Sequence, residues 1–415
     1  MANSDTEVAI IGGGAAGIAA GRRLRQAAIG CLVIEARQRL GGRAWTVDAS
    51  GFSLDLGCGW LHSADRNPWV KIAEGQGRTI DKTPPPWSRT SLPVGFTLSE
   101  QKEFAEAQDG FYERLEAAAR NAEDGPASAL LEPNGRWNNL ITAIGTYITG
   151  AELERVSIRD FDNYADTGVN WRVVEGYGAT IAAYGNELSV VLDSPVLQID
   201  YHGKRLKIET AKGVISADQA IVTLPSSILA EKEFLFAPAL TDKAEAARNL
   251  PLGLNDKLFL SLERAEEFDK ETRIVGRTDR TGTAIYHMRP FGRPMIECYF
   301  GGTLAAELEA GGEDAFFDFA ASELAALLGA EFKQRIKPLH IHRWGADPFS
   351  RGAYSYALPG MADCRARLAA PVDARLFFAG EACSRHDFST AHGGWFTGVA
   401  AAEQVIAARR RQRTA

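Results

Sequence analysis

An apolar run, Val8-Ala9-Ile10-Ile11, breaks at once into Gly12-Gly13-Gly14-Ala15-Ala16-Gly17, and this junction constrains the chain more than any other stretch. A short, continuous apolar run reads as a strand buried on both faces, as in a parallel sheet. Gly12 permits the tight turn that follows, and Gly14 lets the backbone approach a pyrophosphate. Gly17 lets the next helix, expected over residues 14–28, lie close to the strand. The N-terminus of such a helix offers free N–H groups and a partial positive charge to phosphates. Cys31-Leu32-Val33-Ile34 is a second apolar strand, and Glu35 closes it where an acid can bond the ribose hydroxyls of an adenosine. Together these residues predict the first βαβ unit of a doubly wound sheet with a dinucleotide across its edge.

A second glycine-rich signature lies at the far end: Phe377-Phe378-Ala379-Gly380-Glu381, then Thr390-Ala391-His392-Gly393-Gly394-Trp395. The strand expected at 376–379 and the helix expected over about 394–410 return the chain to the nucleotide fold. One long cofactor lying across the fold, and redox chemistry carried by it, follow from that placement.

Between the two ends the pattern changes. Pro84-Pro85-Pro86 begins a new region, and residues 99–122 are rich in Ala and Glu at helical spacing. Short helices continue to about residue 189, where strand character returns at Ser189-Val190-Val191-Leu192. Residues 196–199 and 206–210 read as a hairpin, and Ala220-Ile221-Val222-Thr223-Leu224 as a buried strand stopped by Pro225. Residues 256–262, 283–288, 295–300 and 339–344 are strand-like, with a helix expected over Ala315–Leu328, and form a second, mostly antiparallel sheet. The expected fold is α/β: a Rossmann-like nucleotide domain of residues 1–80, 189–235 and 345–415. It is interleaved with an α+β substrate domain of residues 81–188 and 236–344, helical over 98–188, on a mixed or antiparallel sheet.

Charge and cysteine usage narrow the function classes. The net charge of -7 argues against nucleic-acid binding, which needs clustered Lys and Arg. The basic run Arg409-Arg410-Arg411-Gln412-Arg413 reads as a solvated helix end. Cysteines 31, 58, 298, 364 and 383 contain no Cys-x-x-Cys pair, so neither a disulfide framework nor a zinc site is expected. Asp5 and Glu7 stand where a secretory signal would be basic, and no apolar run reaches membrane-spanning length. A cytoplasmic location is expected.

With these pieces in view, Glu35-Ala36-Arg37, Leu40-Gly41-Gly42-Arg43 and Asp55-Leu56-Gly57-Cys58-Gly59-Trp60-Leu61-His62 resemble the FAD-dependent amine oxidases. That family holds the polyamine oxidases, monoamine oxidases and lysine-specific histone demethylases, and the resemblance is nearest to the polyamine oxidase type. Glu175-Gly176-Tyr177-Gly178, Asp256-Lys257 and Trp344-Gly345-Ala346-Asp347-Pro348-Phe349-Ser350-Arg351-Gly352-Ala353-Tyr354 extend it, while residues 65 to 170 do not.

The resemblance implies FAD, held by Gly12, Gly14, Ala16, Gly17, Glu35, Ala36, Arg37, Gly42, Arg43, Gly57, Gly59, Trp60, Val196, Trp344, Phe349, Gly380, Glu381, Thr390 and Ala391. It puts Arg43 along the diphosphate, the Val196 backbone on the adenine and Glu381 on the ribityl or phosphate region. Thr390 and Ala391 present the last helix N-terminus to the flavin carbonyl edge. Tyr354 and Trp395 would stand before the flavin as an aromatic pair, with packing in the core as the plainer reading of Trp395. Lys257 would hold a water at flavin N5 and assist with dioxygen; a lysine snorkelling from a strand end is the plainer reading. His62 resembles the histidine bordering the amine channel in spermine and acetylpolyamine oxidases. Asp65 and Glu175 are among the acids that could line a polyamine channel. His340 and His342 share a strand face, but no third metal ligand stands out.

Departures matter too. Ala353 stands where monoamine oxidases carry the cysteine that bonds the flavin, so FAD is expected to be non-covalent. Trp60 stands near the place where amino-acid oxidases carry a carboxylate-binding arginine, though an arginine from elsewhere could substitute. The implied activity is hydride transfer from the carbon beside an amine nitrogen to flavin N5, imine hydrolysis, and reoxidation by dioxygen to hydrogen peroxide. Its partners would be a small-molecule amine and dioxygen, with no nucleic acid, membrane or metal. A desaturase or L-amino-acid oxidase of the same superfamily, and a redox-silent flavin-binding interaction protein, stay open.

Overall fold

The computed structural model describes residues 4–121, 123–231 and 235–414. Ala122, where the expected first long helix ends, lies outside the described residues, as do 1–3, 232–234 and 415 within the expected nucleotide domain.

The apolar run forms the strand Ser4–Ile11, and Val8, Ala9 and Ile10 have no exposed surface. It is buried on both faces because it lies inside an eight-stranded sheet. Cys31–Ile34 pairs parallel on one side of it, in the register Val8 with Cys31, and Gly213–Val222 pairs parallel on the other. Leu376–Phe378 adds parallel to the end of Gly213–Val222. Val196–Asp200 and Leu206–Thr210 make the expected antiparallel hairpin, with an irregularity between Val196 and Gln198. The strand expected to begin at Ala220 begins at Gly213 instead, because its first half pairs antiparallel with Leu206–Thr210. Ser216, Asp218 and Gln219 had obscured it, since their alternation is that of a half-polar edge rather than of an apolar run.

The helix Ala15–Gln26 covers one face of this sheet, together with the last helix, Ala391–Thr414. These helices touch through glycine: a Cβ on Gly398 would sit 2.1 Å from the Ala16 carbonyl oxygen. Both chain ends therefore build one layer.

The second sheet has five antiparallel strands, in the order Thr272–Val275, Ile285–Met288, Met295–Gly301, Asn255–Leu262, Ile336–His342. Thr272–Val275 is the strand not foreseen from sequence. Leu258, Leu260 and Leu262 point to one face and pack with Phe300, Phe316 and Leu324, beneath the helices Gly302–Gly311 and Glu313–Leu328. On the opposite face Lys257 lines the cavity and Phe259 packs against the hairpin of Thr46–Ala49 and Phe52–Asp55.

Two boundaries differ from expectation. Phe236–Ala237 pairs with Val196–Asp200, and Ala246, Ala247 and Leu250 join the nucleotide-side core, so that unit runs past residue 235. The helix Tyr177–Tyr184 packs with Ile18 and Ala44 against the first helix, although residues 81–188 were assigned to the substrate domain. In both places a two-residue strand or a short helix is fixed by tertiary packing and carries little local signal. The helical lobe consists of Leu98–Ala119, capped by a reciprocal Thr97–Glu100 box, with Asn138–Thr149 and Ile158–Asn163.

Candidate active site

The sheets and the helical lobe enclose a cavity of about 1460 Å³. At one end is the glycine loop. Gly12 has φ +106°, and a Cβ there would meet Thr223 Oγ1 at 2.6 Å. A Cβ on Gly17 would lie 1.9 Å from the Gly12 carbonyl oxygen, so only glycine lets the helix close onto its own turn. Gly14 is different: its nearest neighbours to such a Cβ are 3.9 Å away, and its Cα opens onto the cavity. No side chain caps the helix that follows, and its first turn holds no acid. Its free N–H groups are left for an anion.

Glu35 ends the second strand against this loop. Its carboxylate accepts from Gly13 N at 2.6 Å and from Arg37 N at 2.8 Å. Arg37 reaches Asp347 Oδ1 at 2.6 Å and Ser350 Oγ at 2.7 Å, tying the early loop to the late motif. Arg43 Nη1 donates to the Ala353 carbonyl at 2.7 Å and to Glu381 Oε1 at 2.9 Å. Glu381 follows Gly380, whose φ of +136° suits glycine and whose added Cβ would meet no protein atom. Burial would raise the Glu381 pKa, but Arg43, Ser355 Oγ at 2.6 Å and Arg365 hold it below the usual carboxylate range. Thr390 Oγ1 accepts from Gly393 N at 3.0 Å at the start of the last helix.

Lys257 stands on the far wall, buried. Its Nζ donates to the Asp55 carbonyl at 3.1 Å and lies 3.1 Å from Glu297 Oε1. Burial would raise the Glu297 pKa, but Lys257 and His287 hold it well below the ordinary range. Tyr299 also donates to Glu297, at 2.9 Å. Tyr354 lies in the strand Tyr354–Ser355, and its hydroxyl donates to the Tyr147 carbonyl at 2.6 Å. His62 Nδ1 is 2.6 Å from Asn170 Oδ1; burial pushes its pKa down against the pull of Asp166 and Asn170. Beside it, Trp60 and Trp87 meet edge to face at 4.5 Å.

Lys257, Tyr354, His62, Gly12, Gly14, Ala16, Glu35, Ala36, Arg37, Gly42, Arg43, Gly57, Gly59, Trp60, Val196, Trp344, Phe349, Gly380, Glu381, Thr390 and Ala391 all line this cavity. Gly17 lies beneath the loop. Trp395 is not among the lining residues: its ring packs against the cluster of Ile18, Leu61 and Trp69, and its indole N–H has no partner among the described residues. Its helix neighbours Ala391 and Gly394 face the cavity instead. Asp65 bonds Thr167 at 2.5 Å, Glu175 bonds Thr79 at 2.9 Å, and neither lines the cavity. Glu116, Asp160, Asp162 and Asp166 do. His342 sits 3.3 Å from Asp347, and among the described residues no three His, Cys, Asp or Glu gather for a metal. No described helix is long and apolar enough to cross a membrane.

The sequence reading missed Glu297, though it left a trace as the one charge inside Met295-Ile296-Glu297-Cys298-Tyr299. It also missed Ser194 and Asn255, which line the cavity with a buried Oγ and Nδ2 lacking partners. Such orphans call for a polar ligand. With the free helix N-terminus and the open glycines 14 and 380, they fit a dinucleotide.

The family model described as flavin containing amine oxidoreductase matches residues 96–406, and one described as NAD(P)-binding Rossmann-like domain matches residues 10–73. Polyamine oxidase 2 of Arabidopsis thaliana is 28% identical, over 97% of this chain and 88% of its own. Polyamine oxidase 5 of Oryza sativa subsp. japonica is 28% identical over 96% and 87%. Lysine-specific histone demethylase 2 of Homo sapiens is 26% identical over 96% of this chain and 53% of its own. A Putrescine Oxidase structure, from a redesign of its cofactor binding, superposes with a TM-score of 0.78 at 17% identity, covering 98% of this chain and all of that one.

Proposed function

This chain belongs to the flavin-containing amine oxidoreductases and uses FAD, and from that premise we propose that it oxidises a small amine at the carbon beside nitrogen. The observation that carries this reading is one cavity shared by the glycine loop at one end and by Lys257 and Tyr354 at the other. When bound, FAD would supply the two-electron acceptor for the hydride and the route of those electrons to dioxygen, with hydrogen peroxide as the product.

The chain's own residues do the rest. Amides at the start of the helix Ala15–Gln26 would hold the pyrophosphate, and Glu35 and Ser194 would meet the ribose. Arg43, paired with Glu381, would neutralise charge on the cofactor. Ala353 offers no thiol, so attachment is non-covalent. Lys257 has three N–H donors. Two are taken by Asp55 O and Glu297, which leaves one for the cavity and a bound water. Tyr354, Trp60 and Tyr299 provide an aromatic slot that accepts a neutral amine and excludes bulk water. The imine that results takes up water and gives a carbonyl compound and the residual amine or ammonia. The five cysteines stand as free thiols, which suits a cytoplasmic location.

Anaerobic mixing with an amine library tests this reading. Loss of visible flavin absorbance, and peroxide after air is admitted, are expected for at least one amine, with products identified by mass. Yellow protein that neither bleaches nor forms peroxide with any amine would sink it and favour a redox-silent flavin protein.

A further inference from the structure

Arg273, on the cavity wall, has no anion. It lies in the strand Thr272–Val275, half-buried, and lines the same cavity as Lys257. Its Nε donates to the neutral Ser91 Oγ at 2.8 Å, and among the described residues no carboxylate pairs with it. Arg172 pairs with Asp81 and Glu271, Arg365 with Asp160 and Arg37 with Asp347, while Arg39, Arg289 and Arg293, which do not line the cavity, donate to backbone carbonyls. Burial with nothing to offset it pulls the Arg273 guanidinium down to about 10. A desolvated cation of this kind is stabilised by a planar anion that meets its fork of N–H groups.

Its place along the sheet sets the geometry. Arg273 is opposite His287, and His287 opposite Glu297; Ile285, Tyr299 and Lys257 form the next row. Strand alternation puts Arg273 and Lys257 on one face, and three strand spacings with a two-residue offset part their backbones by about 15 Å. Glu297 and Glu271 flank this row but do not line the cavity. Gln101, bonded to Ser91, marks the Arg273 end of the helix Leu98–Ala119, and Glu116 lines the cavity near its other end, about 20 Å away. His287, nearest in register, is itself engaged by Glu271 at 2.6 Å.

We propose that Arg273 receives a carboxylate on the far end of the substrate, so that the preferred amine carries an anionic tail. This rests on the amine-oxidation reading above. Glu116 and Asp162 draw the ammonium end toward the cavity, and the tail then reaches Arg273 as the nitrogen reaches Lys257. A free polyamine would bring a second ammonium against the guanidinium, a like-charge contact that selects against it.

The test uses holoenzyme and three series: ω-aminocarboxylates from aminobutanoate to aminododecanoate, and the n-alkylamines and α,ω-diamines of equal carbon count. Anaerobic flavin bleaching gives the efficiency of each. The aminocarboxylates are expected to lead at the chain length that spans the two residues. Arg273→Ala should lower the aminocarboxylate-to-diamine ratio by about tenfold to a hundredfold, the scale of a lost charge-assisted hydrogen bond. Arg273→Lys should fall between, keeping the charge but not the fork. Octanoate, which has no amine to oxidise, should bind the wild type by calorimetry and fail to bind Arg273→Ala. Should that variant not retain flavin, octanoate competition against hexylamine in the wild type decides: competition supports the assignment, and its absence overturns it. A wild type that prefers diamines, or an Arg273→Ala that slows all three series alike, also overturns it. If no amine of any series bleaches the flavin, the amine-oxidation reading is what fails, and the octanoate titration alone decides on Arg273.

Discussion

Lys257 and Glu297 face each other diagonally across neighbouring strands, Nζ to Oε1 at 3.1 Å, and both are buried. The carboxylate offsets the cost of burying an ammonium group. The pair therefore links the second sheet to the chemistry at the cavity wall.

Glu297→Gln should disturb that charge while leaving the cavity's shape intact. Slower reoxidation of reduced flavin by dioxygen is expected, while reduction by amine changes less. Stopped-flow measurement of each half-reaction checks this. Equal effects on both, or none on either, would make the pair purely structural. Loss of one partner of a buried ion pair should also destabilise the fold by about 3–5 kcal/mol.

Behind Glu297 lie His287 and Glu271, 2.6 Å apart. Burial would lower the His287 pKa, but the two carboxylates on its nitrogens raise it. Burial would raise the Glu271 pKa, but His287 and Arg172 bring it down to about 2. A raised histidine stabilises fully below its unfolded pKa of about 6.5, and that contribution is lost as pH climbs through the folded value. A depressed glutamate stabilises above its unfolded pKa of about 4.3, and that contribution is lost as pH falls toward the folded value. The cluster should therefore support the fold best between those two pH values. Thermal midpoints across pH should lose their alkaline decline in His287→Gln relative to wild type; parallel curves would contradict this.

Two glycines of the nucleotide loop should respond differently. Gly17→Ala drives a methyl to 1.9 Å from the Gly12 carbonyl oxygen, and thermal stability should collapse along with flavin content. Gly14→Ala meets only atoms 3.9 Å away, so stability without cofactor should hold while flavin affinity falls at least tenfold. Melting curves of the flavin-free proteins, with fluorescence titration of FAD, separate the two.

Asp160 holds Arg365 through two bonds of 2.6 Å and 2.8 Å, and Arg365 also donates to Ser355 Oγ, the hydroxyl bonded to Glu381. Asp160→Ala strands a buried guanidinium and should cost about 3–5 kcal/mol in chemical denaturation. It should also loosen Glu381, seen as weaker flavin retention. Unchanged retention would mean that Ser355 is positioned without this pair.

If the amine must arrive neutral, efficiency should climb toward the alkaline side, since an alkylamine titrates near lysine at about 10.4. His62, pushed down by burial, adds no competing step there. A flat reductive half-reaction across neutral to alkaline pH would count against a neutral reacting amine.

Legibility followed locality. Glu35 could be read because loop, helix and strand lie within one short stretch and their spacing is physical. The strand Cys31–Ile34 was placed to the residue for the same reason. Glu297 could not be paired with Lys257, because nothing along the chain says which strands adjoin or in what register. Thr272–Val275 was passed over because Thr and Arg break its apolar pattern, and its identity as a strand comes from pairing with Ile285–Met288. Trp395 shows the other limit: motif position put it before the cavity, while its ring packs on the cluster of Ile18, Leu61 and Trp69, a contact that no local spacing announces.

The layer shared by Ala15–Gln26 and Ala391–Thr414 has a consequence for biosynthesis. The opening strand leaves the ribosome long before the helix that must cover it, and at ordinary elongation speeds that delay is tens of seconds. Throughout that interval Val8, Ile10 and Leu24 lack the cover of Val405 and Ile406, and a sticky β surface is presented to the cell. Yield on overexpression should thus depend on translation pace and on chaperones that shield this early half.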